Sequence, residues 1–183
     1  MRANDSFTIL GTRDLLDVSF LTVAMRTIET PTGERIERVV VKHPGAVAVV
    51  PVIDDDVILI EQYRAAAQDV VLEIPAGKID HPSDDRAATA HRELLEETGF
   101  TAQSMTILTD LWTAVGFSDE RIAIFLAEDL SEATRAPAGA EEELARIIRM
   151  PFTTALAMVK DGEITDAKSV AGLLLAAAHH GPS

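Results

Sequence analysis

Three carboxylates on one short helix, Glu93, Glu96 and Glu97, constrain this chain more than any other feature of its sequence. They lie in the segment Gly77 to Phe100, GKIDHPSDDRAATAHRELLEETGF. Pro82 and Ser83 read as a helix start with Ser83 as N-cap, Asp84 and Asp85 suit the positive end of the helix dipole, and Gly99 is a natural stop. Within those limits Ala87, Ala90, Leu94 and Thr98 form one helical stripe. Glu93, Glu96 and Glu97 fall together on another, so three like charges project to one side and repel. A hard divalent cation would relieve that repulsion. The pattern RExxEE taken alone also allows a solvated acidic face, since runs of charge usually decorate surfaces.

The rest of the composition narrows the setting. A chain of 183 residues suffices for one domain with a full core, with or without a small appendage. Hydrophobic residues make up 47% and aromatics only 4%, which points to an aliphatic core and away from disorder. The formal charge of −14 argues against nucleic acid or an anionic membrane as the partner, because both need clustered Lys and Arg. A small anionic substrate remains compatible if metal ions and a few arginines reverse the local field. With no cysteine, disulfides and thiolate metal sites are excluded. The N-terminus shows no signal peptide and no membrane-spanning run, so the cytoplasm is the expected compartment.

Along the chain, residues 1–43 read as strands: Phe7 to Leu10, Val18 to Thr27 and Ile36 to His43, with Thr30-Pro31-Thr32-Gly33 as a turn. A sheet this small needs support from the main domain or a second copy of the chain. After His43-Pro44-Gly45, the apolar run Ala46 to Val52, a turn at Asp54-Asp55-Asp56 and the strand Val57 to Gln62 suggest a central hairpin. Val70 to Ile74 leads into the acidic segment through a bend at Pro75 to Gly77. Met105 to Leu111 and Arg121 to Ala127 read as strands flanking a loop that holds the only tryptophan. Glu128 to Glu143 has the look of a loose surface loop. Ala145 to Met150 is a last strand, followed by helices from Pro151 to Lys160 and from Asp166 to His179. The five histidines, His43, His81, His91, His179 and His180, are read as structural or exposed.

Arg92-Glu93-Leu94-Leu95-Glu96-Glu97-Thr98-Gly99-Phe100 closely resembles the end of the Nudix box, G-x5-E-x7-R-E-U-x-E-E-x-G-U, the signature of the Nudix hydrolases. Two departures stand at its start. Asp84 replaces glutamate eight residues before Arg92, and Gly77 precedes Asp84 by one residue more than the pattern, which implies a longer loop. Outside the box, Gln62-Tyr63-Arg64, Glu73-Ile74-Pro75-Ala76-Gly77 and Gly116-Phe117-Ser118-Asp119-Glu120 resemble the motifs of the Nudix ADP-ribose pyrophosphatases.

That resemblance implies an α/β fold, a Nudix-type α/β/α sandwich with a mixed sheet, plus a small N-terminal antiparallel sheet. Residues 1–43 would be the N-terminal β region, used for dimerisation, and 44–183 the hydrolase domain. It further implies Glu93, Glu96, Glu97 and the Ala76 carbonyl as ligands of two or three Mg2+ or Mn2+ ions, with Arg92 orienting the carboxylates and Glu120 as catalytic base. Arg64, Arg38, Gly116 and Phe117 would contact a nucleoside diphosphate substrate, and the enzyme would be a homodimer. An arginine at a strand end beside a metal cluster is also where a diphosphate needs a bidentate donor. ADP-ribose, split to AMP and ribose 5-phosphate, is the first expectation. The alternatives are another nucleoside diphosphate sugar or a catalytically silent Nudix domain that senses a ligand. Val115 occupies the place where a proline commonly stands in the ADP-ribose enzymes, which widens the choice of substrate.

Overall fold

A computed structural model describes residues 6–80, 84–137 and 139–179. The chain forms two compact units. One comprises the segment up to Gly45 together with Trp112–Arg121, the other Ala46–Leu111 and the residues from Ile122 onward.

In the first unit, β1 (Thr8–Val18), β2 (Leu21–Glu29) and β3 (Arg35–Lys42) form an antiparallel sheet in that order. The expected strand from Phe7 to Leu10 is much longer than its apolar residues announce. It continues through the polar Thr12-Arg13-Asp14 to Val18, exposed throughout, with register shifts at Ile9/Gly11 and Asp14/Leu16. Trp112–Arg121 is fastened to this sheet by its backbone. The Val41 N–H donates to the Phe117 carbonyl at 2.7 Å, and the Asp119 N–H donates to the Val41 carbonyl at 3.1 Å.

The second unit is built on β4 (Ala46–Ile53), β5 (Asp56–Arg64), β6 (Asp69–Glu73), β7 (Ala76–Lys78), β8 (Phe100–Trp112), β9 (Arg121–Glu132) and β10 (Arg146–Pro151). The strands run β10-β5-β4-β9-β8, with β6 on β5 and β7 on β4. The sheet is mixed: β4 pairs parallel to β9 and antiparallel to β5 and β7. The expected hairpin of β4 and β5 exists, but its ladder covers only Val52↔Val57 and Ile53↔Asp56, and the main neighbour of β4 is β9. The segment from Pro75 to Gly77, expected as a bend, enters the short strand β7.

Alternation along β4 sorts its side chains between two cores. Val47 and Val49 pack with Ala90 and Leu94 of α1 (Arg86–Thr98), together with Ala123 and Phe125 of β9. Ala48 and Val50 face the other way, toward Ala155 of α3 (Phe152–Asp161) and Leu173 and Ala176 of α4 (Ala167–His179). Helices therefore cover both faces, and the unit is an α/β/α sandwich.

Three further sequence expectations need correction. The expected cap Ser83 lies outside the described residues, and the cap of α1 is Asp85, whose Oδ1 accepts from the Ala87 N–H at 2.9 Å. Strand β8 begins at Phe100 instead of Met105. The supposed loop from Glu128 to Glu143 holds the end of β9 and a short helix α2 (Ala140–Leu144). At the far end of α1, Gly99 closes the helix with φ 74°, its N–H donating to the Leu95 carbonyl.

Candidate active site

Helix α1 lays its acidic side against β7 and the end of β5. Glu93 and Glu97 are buried there, and Glu96 is partly exposed. Gly77 is what lets Glu93 lie flat on the strand: a Cβ at that position would be 2.0 Å from the Glu93 Cδ. Glu97 Oε2 accepts the Ala76 N–H at 2.7 Å. Arg92 sits on the solvent side, its Nη2 2.9 Å from Glu93 Oε1 and its Nη1 2.9 Å from Glu96 Oε2. Asp80 Oδ2 also faces this guanidinium, at 3.4 Å.

Two carboxylates buried this close are electrostatically unsatisfied. Burial is the largest effect and pushes Glu93 up to about 7, with Arg92 opposing and Glu96 adding to the rise. Burial likewise pushes Glu97 up to about 8, against the pull of the Ala76 N–H and with Glu93 and Glu142 adding to the rise. A cation at this place would reverse both effects. Among the described residues no three His, Asp or Glu side chains stand ready-made around one point. Arg92 and the Ala76 N–H engage their oxygens instead. Oxygen donors on rotatable side chains, under an uncompensated negative field, nevertheless fit a hard divalent ion.

These groups line a cavity of about 450 Å³, which Gln62, Arg64, Lys78 and Glu142 also border. Arg64 brings positive charge to it from the end of β5. Burial alone would lower its pKa, but the hydrogen bond to Glu73 and the field of that carboxylate more than offset this and raise it.

A second cavity, of about 430 Å³, lies within the N-terminal unit and brings together Arg38, Gly116 and Phe117 with Arg26, Trp112 and Val115. Arg26 and Arg38 are direct cross-strand partners. Arg26 Nε is buried without a hydrogen-bond partner among the described residues. The Arg121 guanidinium stands 5.0 Å from the centre of the Trp112 ring. In the same unit Glu120 is held at both oxygens: Thr113 Oγ1 donates to Oε2 at 2.5 Å, and His43 Nε2 lies 3.4 Å from Oε1. Because His43 Nδ1 accepts from the Gly45 N–H, Nε2 carries the proton of the neutral ring.

A match to the NUDIX domain model covers residues 42–173. The chain belongs to the Nudix family. It is 40% identical over 143 residues, 78% of this chain and 77% of the relative, to a protein of Bacillus subtilis (strain 168) named ADP-ribose pyrophosphatase. A protein of the same name from Mycobacterium tuberculosis (strain ATCC 25618 / H37Rv) is 34% identical over 173 residues, 94% of this chain and 84% of the relative. Among solved structures, an ADP compounds hydrolase superposes with a TM-score of 0.82 at 26% identity, covering 96% of this chain and 95% of the other. This Nudix chain is accordingly a pyrophosphohydrolase of α/β/α architecture.

Several residues that touch the expected site residues or border the carboxylate cavity were not singled out from the sequence. His43, expected to be structural or exposed, lies 3.4 Å from Glu120. Glu142 borders the carboxylate cavity from α2, a helix the sequence reading took for loop. Gln62 is buried with its Oε1 unpartnered among the described residues, and Glu73 is buried beside Arg64. A signal for the last two was present: polar residues at inward positions of otherwise apolar strands need a partner.

Proposed function

We propose that this protein hydrolyses a nucleoside diphosphate linked to another moiety, with ADP-ribose, split to AMP and ribose 5-phosphate, as the substrate. The observation that carries this reading is the buried pair Glu93 and Glu97, under-compensated by positive charge and lying beside Arg64. Mg2+ or Mn2+, two or three ions held by Glu93, Glu96, Glu97 and the Ala76 carbonyl, would neutralise phosphate oxygens and acidify the attacking water. The protein's own groups do the rest. Arg64 donates to diphosphate oxygens, and Arg92 fixes the orientation of Glu93 and Glu96. Glu120, held by Thr113 and His43, accepts the proton of the water. Arg38, Gly116 and Phe117 bind substrate, with Arg26 and Trp112 completing a cavity suited to an anion beside a flat ring.

The relatives named ADP-ribose pyrophosphatase support this choice of substrate. One feature favours a broader range: Val115, 75% exposed, leaves the loop without the restraint a proline would give. The reading includes a homodimer through the N-terminal unit, in the cytoplasm. Support for the dimer comes from Ile9, Leu16, Val18 and Phe20, apolar side chains exposed on or next to β1. The test is a panel of ADP-ribose, a GDP-sugar and a UDP-sugar with and without Mg2+, with products identified. Hydrolysis of ADP-ribose to AMP only with the metal is the expected result. Preference for another sugar nucleotide would replace the substrate, and no turnover of any would favour a silent sensing domain.

A further inference from the structure

Arg64 borders the carboxylate cavity, and among the described residues it is tethered through one nitrogen only. Its Nε donates to Glu73 Oε1 at 2.6 Å. Glu73 ends β6, and its side chain is 2% exposed. The second oxygen of this carboxylate, Oε2, is taken by Lys168 Nζ from the first turn of α4. Lys168 is itself held in place, with Nζ 2.9 Å from Asp166 Oδ2. Asp166 accepts from the Ser169 N–H at 3.0 Å and from Ser169 Oγ at 2.5 Å, and Ser169 Oγ accepts the Ile74 N–H at 2.8 Å. The start of α4 is thereby locked to the residue next to Glu73. Two acids and two bases make the network neutral, and of these four Arg64 borders the cavity.

An unoccupied carboxylate takes an arginine on both oxygens, fork against fork, which is the stronger geometry. Here Lys168 already engages Oε2 and competes with any second bond from the arginine to that oxygen. We infer that Lys168 is a positioning residue for Arg64: by occupying Glu73 Oε2 it confines the arginine to a single tether through Nε and leaves its two terminal nitrogens for a phosphate of the substrate. Removing the ammonium would leave a buried oxygen unpaired, and the nearest cation able to turn toward it is Arg64. The guanidinium would then close on Glu73 and withdraw from the cavity. This inference rests on the reading that Arg64 binds the diphosphate.

The test measures KM and kcat for ADP-ribose with saturating Mg2+ in the wild type, Arg64→Ala, Lys168→Met, Lys168→Arg and the double variant Arg64→Ala/Lys168→Met. Arg64→Ala is expected to raise KM about tenfold or more, and Lys168→Met about fivefold, with kcat within about twofold in the latter. Lys168→Arg, which can still donate to Oε2, restores most of the affinity. In the double variant the Lys168 effect vanishes, because no arginine remains to misplace. Should Lys168→Met fail to fold, Lys168→Leu, which likewise leaves Glu73 Oε2 without a donor, makes the same comparison. A KM unchanged in the Lys168 variants, while Arg64→Ala raises it, overturns the inference and leaves the function standing. Equal losses of kcat and affinity, additive in the double variant, assign Lys168 to general stability and also overturn it. A KM indifferent to Arg64→Ala removes the underlying reading and the inference together.

Discussion

The carboxylate of Glu93 rests on the backbone of Gly77, so close that the smallest side chain there would collide with it. Gly77 lies in β7 without a left-handed φ, so alanine meets no backbone strain and acts only by displacing Glu93. Gly77→Ala is expected to lower kcat/KM at least about tenfold, with a stability cost of about 1–3 kcal/mol for the overpacking. Kinetics beside a thermal melt, each with and without Mg2+, check this. Retained activity and an unchanged Mg2+-induced stabilisation would show that Glu93 does its work elsewhere.

The raised pKa values of Glu93, about 7, and Glu97, about 8, make the metal-free protein sensitive to alkali. Between the ordinary carboxylate value of 4.5 and these values, the folded state holds protons that the unfolded state has lost. Stability is therefore full in mild acid and falls as pH rises through about 7 to 8. With EDTA present, Tm should decline by several degrees from about pH 5 to pH 8.5, at roughly 2–4 °C per kcal/mol for a chain of this size. Glu97→Gln should flatten the decline, and Mg2+ should reverse it near pH 8. A Tm that rises over this interval would contradict the sign.

How much of this was readable in advance follows from the range of the interactions. Helix α1 was legible because its signals are local: a glycine stop, an apolar stripe and three carboxylates at helical spacing. Even there the start was placed on Ser83 while Asp85 caps, since several adjacent polar residues compete for one capping role. Strand β1 was missed beyond Leu10 because all its side chains are exposed, so burial imposes no alternation on the sequence. The grip of Lys168 on Glu73 joins residues 95 apart, and no local pattern announces it. The cross-strand meeting of Arg26 and Arg38 depends on register, which the sequence alone left open.

Arg26 and Arg38, directly opposed on β2 and β3, cost stability unless an anion lies between them. Arg38→Gln is expected to raise stability slightly at low salt, by the order of 0.2–1 kcal/mol and seen as a higher Tm, while raising KM for ADP-ribose. Melts and kinetics on the same preparation separate the two effects. A lower Tm with unchanged KM would make Arg38 a structural residue and nothing more.

Glu120 is presented as an acceptor in a fixed orientation, with Thr113 Oγ1 on one oxygen and His43 Nε2 facing the other. A base that takes a proton in the transition state should affect the rate far more than affinity. Glu120→Gln is therefore expected to reduce kcat by about 10²- to 10⁴-fold with little change in KM. Thr113→Val, which loses the donor and leaves the carboxylate, should cost much less, on the order of one neutral hydrogen bond or about tenfold. The amide of the glutamine variant cannot accept a proton at any pH in reach, so raising the pH should not rescue it, whereas the threonine variant should keep the shape of the wild-type profile. An unchanged kcat in Glu120→Gln would move the base to another carboxylate. Glu142 is then the first to replace, because it already borders the cavity of Glu93 and Glu97.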